Sequence, residues 1–166
     1  MMNTNPSIFA DTETTNTVFI RVEGKGTFEN SPCLKEFALR MLADGRRAFV
    51  VDLKNCPVMD STFMGTLAGI AQRLDDSGGG NLWVVNRNSR NTDLLDDLGI
   101  TALFSTETPP EMAQCAAAVE AAPTDKATTR EVMREAHEAC VKANPENAEK
   151  FKDVLEHLAD SARRAK

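Results

Sequence analysis

Two hydroxyls and a carboxylate stand together at Asp60-Ser61-Thr62, after the apolar run at 48–53 and before a stretch whose apolar residues repeat at helical spacing. Such a triplet at a helix start can do two things. One of its oxygens can accept a hydrogen bond from a free first-turn N–H, or a hydroxyl can accept a phosphoryl group where the helix dipole favours an anion. Hydrolytic chemistry would need a base beside the hydroxyl, and the two histidines, His137 and His157, both lie among charged residues near the C-terminus. A Ser-His-Asp site in the first two thirds of the chain therefore has no local base. His137 and Cys140 share a helix face at i and i+3, but two ligands make a weak metal site and no H-E-x-x-H accompanies them. Gly78-Gly79-Gly80 is followed by no Lys-Ser or Lys-Thr and precedes a strand, so it reads as a turn and not as a phosphate cradle. Asp52, Asp60, Asp75 and Asp76 are spread over a strand, a junction and a helix end, and are not expected to converge. No catalytic residue, metal or cofactor is expected.

The elements that position the triplet follow from periodicity. Residues 48–53, Ala-Phe-Val-Val-Asp-Leu, form a continuous apolar run suited to a strand covered on both faces. Phe63, Leu67, Ile70 and Leu74 then mark one face of a helix, while Gly65, Ala68 and Gly69 leave a strip on which a neighbouring element can approach closely. Residues 17–24 alternate as a strand, and Pro32, Leu34, Phe37, Ala38 and Met41 give a helix that Asp44-Gly45 ends. A further strand at 82–86 and a helix at 89–98, closed by Gly99, come next, with one more short strand expected at 100–104. Alternating strands and helices predict an α/β domain with helices packed on a sheet.

Pro109-Pro110 marks a change to helical composition. A short Ala-rich helix is expected at 111–122, then a helix opened by a Thr128-x-x-Glu131 capping box, with Met133, Ala136, Cys140 and Ala143 as its seam. After Asn144-Pro145, Ala148, Phe151, Leu155, Leu158 and Ala162 supply the seam of a last helix. The chain thus divides into a flexible arm at 1–16, whose apolar island Ile8-Phe9-Ala10 leaves an edge strand as the alternative, an α/β domain at 17–108 and a helical hairpin at 109–166. The hairpin is expected to pack on itself or cover the domain, with homo-oligomerisation or partner docking as the alternative.

A net charge of −6 argues against a nucleic-acid surface or an anionic-membrane anchor. Apolar runs are too short for a bilayer span, and the first residues lack the charged start and apolar core of a signal peptide, so a cytoplasmic protein is expected. The four cysteines are far apart, form no C-x-x-C pair, and are read as reduced.

The sequence Val50-Val51-Asp52-Leu53, then Met59-Asp60-Ser61-Thr62-Phe63-Met64-Gly65, the glycine turn, Leu82-Trp83-Val84-Val85-Asn86 and finally LLDDLGITALF resembles the STAS domain, the family of anti-sigma factor antagonists and related bacterial regulators. The resemblance implies a mixed sheet flanked by helices, no intrinsic catalysis, and reversible phosphorylation of the hydroxyl after the motif aspartate. That hydroxyl is Ser61, with Thr62 as the neighbouring alternative. It further implies a serine kinase that doubles as an anti-sigma factor, a cognate phosphatase, and a docking surface shaped by Met59, Asp60, Ser61, Thr62, Phe63 and Met64. The alternative is an unphosphorylated STAS scaffold or small-ligand-binding module in which Ser61 is only the helix cap. Two positions depart from the family pattern. Phe63 stands where glycine is common, and Gly24-Lys25-Gly26-Thr27 replaces the usual Gly-Glu-Leu-Asp.

Overall fold

The computed structural model describes residues 7–164. Its elements are β1 (Ile8–Asp11), β2 (Val18–Glu23), α1 (Ser31–Ala43), β3 (Ala48–Asn55), α2 (Ser61–Asp76), β4 (Asn81–Val85), α3 (Ser89–Asp97), a 3-10 turn (Thr101–Leu103), β5 (Ala117–Ala118), α4 (Lys126–Ala143), α5 (Asn147–Lys150) and α6 (Lys152–Arg164). The five strands form one mixed sheet in the order β4-β3-β2-β1-β5. β2, β3 and β4 are parallel neighbours, and β1 is antiparallel to both β2 and β5.

Alternation along each strand divides the side chains between two layers. Val18, Ile20, Phe49, Val51, Leu53, Leu82 and Val84 face the helices and form the main core with Leu34, Phe63, Leu67 and Leu95. Phe19, Val50 and Trp83 face the other way. That second face is covered by the irregular segment after the 3-10 turn, from which Met112, Ala113 and Cys115 pack inward and the Glu107 carbonyl accepts the Trp83 indole N–H at 3.0 Å. β3 is covered on both faces, as its continuous apolar run requires.

Four local expectations are corrected. Within the arm expected at 1–16, residues 1–6 lie outside the described residues, and Ile8–Asp11 is a strand, as the alternative had it, but an inner and not an edge one, because Ile8 and Ala10 bury against the core while the backbone pairs on both sides. Residues 100–104 form no strand. The chain turns through Thr101–Leu103, with Ile100 and Phe104 buried at its two ends. The Ala-rich helix expected at 111–122 is absent. Ala117–Ala118 instead pairs with β1, where tertiary pairing overrides alanine's intrinsic preference for helix. Finally, α4 begins one turn earlier than the Thr128 capping box would place it. Asp125 is its cap, accepting from Thr128 N–H at 2.7 Å, and Glu131 turns outward to pair with Arg134.

The C-terminal helices lie over the domain. α4 runs along α2, with α6 behind it, and Ala139, Cys140 and Phe151 join the main core. The covering role expected of the hairpin is the one observed.

Candidate functional site

Ser61 is placed by the loop that joins β3 to α2. This loop is pinned to the turn after β2 by a parallel bridge between Gly26 and Met59, by Gly26 N–H donating to the Val58 carbonyl at 3.0 Å, and by Asp60 N–H donating to the Gly26 carbonyl at 2.8 Å. Asp60 then caps α2. One carboxylate oxygen accepts from Phe63 N–H at 2.8 Å and the other accepts from Phe28 N–H at 2.8 Å, so a single side chain holds the helix start and the neighbouring loop. The cap position belongs to Asp60, and the reading of Ser61 as the helix cap is thereby corrected.

The triplet and its neighbours do not share one environment. Ser61 and Asp60 are half-buried. Met59, Thr62, Phe63 and Met64 are buried, with Phe63 at 0% exposure. The docking surface expected of these four side chains is therefore corrected, since they support the site from beneath. Phe63, which stands where the family commonly has glycine, fills the space above Gly26. A β-carbon at Gly26 would lie 2.6 Å from the Phe63 ring. The two departures from the family pattern thus compensate each other: the added ring fits because the facing residue has no side chain.

Sequence reasoning missed His137. Its Nε2 lies 2.9 Å from Ser61 Oγ, across a separation of 76 residues in sequence, and its Nδ1 lies 2.6 Å from the Met133 carbonyl. A carbonyl can only accept, so Nδ1 carries a hydrogen, and in the neutral ring Nε2 accepts the Ser61 hydroxyl proton. The ring is 2% exposed and its edge meets Phe151 at a centroid distance of 4.8 Å. The expectation that no base lies near the triplet is corrected: α4 carries one to it. The signal was present in the small-residue strip, because Gly65 is where α4 makes its closest approach. A β-carbon there would stand 2.2 Å from the Ala136 carbonyl oxygen.

A hydroxyl bonded to an oriented imidazole has the first two parts of an acyl-transfer centre. The third part is a carbonyl instead of a carboxylate, and the Phe63 amide at the helix start, a natural oxyanion donor, is already bound by Asp60. A developing oxyanion would also face the Asp60 carboxylate. The arrangement serves better as a contact that holds α4 than as a catalytic pair.

The other candidates stay apart. Asp52 accepts from Lys54 N–H and from the Asn86 amide, each at 2.9 Å, at the end of β3, while Asp75 and Asp76 lie at the far end of α2. The four cysteines are free. Among the described residues no group of His, Cys, Asp and Glu is arranged to hold a metal ion, and no helix is long and apolar enough to cross a membrane.

A mixed sheet with helices on one face, a helix that starts at an Asp-Ser pair beside the sheet's parallel strands, and a separate helical cover define a small layered α/β architecture. Residues 9–114 match the family model of the STAS domain, and the chain belongs to that family. The match extends beyond the 17–108 span read from sequence and takes in β1 and the strap over the second sheet face; α4–α6 lie outside it. No curated protein matches the sequence. Among solved structures, the crystal structure of TM1081 from Thermotoga maritima, designated a candidate anti-sigma factor antagonist, is 18% identical with a TM-score of 0.51, over 55% of this chain and 78% of that one. The NMR structure of TM1081 gives 17% identity and a TM-score of 0.53, over 63% and 83%. The phosphorylated form of the Bacillus cell fate determinant SpoIIAA gives 17% identity and a TM-score of 0.50, over 60% and 92%. At these identities the likeness is one of fold.

Proposed function

We propose that the chain is a non-catalytic cytoplasmic regulator of the anti-sigma factor antagonist kind, whose binding to a partner in bacterial signalling is switched by phosphorylation of Ser61. The observation that carries this reading is the division of labour at the head of α2. Asp60 does the capping, which leaves the Ser61 hydroxyl at the positive end of the helix with no structural duty inside the family domain. Thr62, the alternative acceptor, is 3% exposed and less open to a kinase. The unphosphorylated scaffold reading relied on Ser61 as cap and loses that support.

In the phosphorylation step Ser61 Oγ bonds to the γ-phosphorus of ATP as the bond from that phosphorus to ADP breaks, and the hydroxyl proton passes to the kinase's base. The product carries about −1.5 to −2 charges at a helix start that favours anions by roughly 0.3 to 2 kcal/mol. The domain tolerates it. A partner surface laid over the same spot must desolvate the phosphate and meets Asp60 beside it, and a loss of about 2.7 kcal/mol suffices to weaken binding roughly a hundredfold. The partners are a serine kinase that is also the anti-sigma factor, and a phosphatase that resets the switch.

The test is to incubate the full chain with the anti-sigma-type serine kinases of its own genome and Mg-ATP, and to map the product by mass spectrometry. Label on Ser61, lost in Ser61→Ala, is expected. Labelling of neither Ser61 nor Thr62 by any of them would overturn the proposal.

A further inference from the structure

We propose that α4–α6 form an intramolecular lid seated on the Ser61 face of the STAS domain, and that a phosphate on Ser61 and the seated lid exclude each other. The lid half of this inference stands on geometry alone; the phosphate half rests on the function proposed above.

The lid lies outside the family match and is tied to the domain by an apolar seam, through which Ala139, Cys140 and Phe151 join the main core, and by specific polar contacts. Besides the Ser61–His137 bond, the Gln72 amide donates to the Ala139 carbonyl at 3.0 Å, and Glu135 pairs with Lys35 and Arg73. The Asn147 amide donates to the Leu98 carbonyl at 2.8 Å. Gly65 meets the Ala136 backbone, and two solvent-open clefts lie along the α1 side of α4, one of about 310 Å³ beside Gly69, Arg73 and Glu135, the other of about 470 Å³ beside Cys33, Pro123 and Thr128, with Lys35, Leu39 and Val132 lining both. Lifting α4 leaves the strand pairing of the sheet untouched but withdraws Ala139, Cys140 and Phe151 from the main core, so the seated state is the resting one.

Only a hydrogen separates Ser61 Oγ from His137 Nε2. A phosphoryl group would insert phosphorus and three further oxygens into that space. The imidazole cannot retreat into the lid, because Phe151 backs its ring. α4 cannot slide inward, because its backbone already rests on Gly65. With Oγ held where it meets His137, the group fits only if α4 moves outward. What it then uncovers is the α2 strip of Gly65 and Gly69 with Thr66 and Gln72 between and beyond them. That surface suits a partner helix with small residues at its contact, as Ala136 and Ala139 are now.

The chain's two histidines supply the assay, since His137 is buried under the lid and His157 is exposed on α6. Modification by diethyl pyrocarbonate is followed at each by mass spectrometry in four full-length chains. These are the wild type, Gly65→Ala, Gly69→Ala, and the wild type with phosphoserine installed at position 61 during synthesis. Gly65→Ala places its methyl against Ala136, whereas the same change at Gly69 meets only Ala139 Cβ at 3.9 Å, an ordinary contact. In Gly65→Ala and in the phosphoserine chain, His137 reactivity relative to His157 is expected to rise about tenfold or more, and in Gly69→Ala to stay within about twofold of wild type. Cys56 and Cys115, buried within the domain, should remain unreactive to thiol reagents throughout. If Gly65→Ala exposes them the domain has unfolded, and Glu135→Lys, which reverses the charge facing Lys35 and Arg73, takes its place with the same expected rise in His137. His137 as protected as in wild type in a folded opening variant would overturn the lid. Protection unchanged by phosphoserine would overturn the exclusion. A lid that opens in a chain that no kinase labels would leave the lid standing and remove the proposed switch.

Discussion

Asp60 is expected to carry the structural role that Ser61 does not, and replacing each tests this directly. Asp60→Ala removes the acceptor of Phe63 N–H and the acceptor of Phe28 N–H. Loss of a helix N-cap costs about 0.5 to 2 kcal/mol, and the second bond adds about 0.5 to 1.5 kcal/mol. The sum is about 1 to 3.5 kcal/mol. For a chain of this size that lowers the melting temperature by roughly 2 to 4 °C per kcal/mol, and the urea midpoint by about 1 M. Asp60→Asn keeps one carbonyl oxygen for the cap while its amide nitrogen cannot accept from Phe28 N–H, so about half the loss is expected. Ser61→Ala leaves both bonds intact and gives up only the contact to His137, so its cost should appear as looser α4 and not as a shift of the domain's own transition. The assay is urea unfolding followed by Trp83 fluorescence, which reports the sheet, together with hydrogen exchange resolved by helix. An Asp60→Ala protein as stable as wild type, or a Ser61→Ala protein less stable than Asp60→Ala in the sheet transition, would refute the assignment of cap and hydroxyl.

Three further outcomes are expected. Gly26→Ala forces a methyl group onto the Phe63 ring and should cost about 1 to 3 kcal/mol in urea unfolding, with much of the loss recovered when Phe63→Leu is added. Burial pushes the Cys140 thiol up to about 11, while Cys33 is the only cysteine that is not buried; iodoacetamide at about pH 8 should therefore label Cys33 first and Cys140 far more slowly, as peptide mapping would show. The Thr128 backbone N–H holds the Asp125 carboxyl below its ordinary value of 3.8. A depressed folded-state value means the stabilisation is present above 3.8 and lost as pH falls through the lower folded value, so amide protection in the first turn of α4 should drop as pH is taken below 3.8, and Asp125→Asn should remove most of that dependence.

The sheet and its helices were legible because each buried element carries an unbroken period. β3 is apolar at every position from Phe49 to Val51, and α2 buries Phe63, Leu67, Ile70 and Leu74 at the spacing of one face. Legibility failed where tertiary partners overrode local preference. Ala117–Ala118 has no strand character of its own and pairs because β1 presents an open edge. Ile8–Asp11 looked like a solvated arm because its polar flanks outnumber the two side chains that matter, Ile8 and Ala10. At the site, the Asp-Ser pair and its helix could be read directly, and so could the glycine strip on α2. The identity of the element on that strip could not, because His137 reaches Ser61 through a fold in the chain that no local pattern encodes. The burial of Phe63 was hidden for the same reason, since it depends on a glycine in a different loop.

One oxygen, Ser61 Oγ, has three possible employments: capping α2, bonding His137 and accepting phosphate. Asp60 removes the first, and the remaining two compete. If a kinase reaches Ser61 only in the open state, its apparent rate scales with the open fraction, as for any binding that requires a minor conformer. The Ser61–His137 hydrogen bond, at a net worth of about 0.5 to 1.5 kcal/mol, by itself reduces that fraction by roughly twofold to tenfold. His137→Phe keeps the ring and its packing on Phe151 but cannot bond the hydroxyl, so it should raise the rate of Ser61 phosphorylation by about that factor without changing the sheet's stability. A rate that fell instead would mean that His137 assists the transfer as a base, and the contact would then have to be reread as part of the phosphoacceptor and not as a latch.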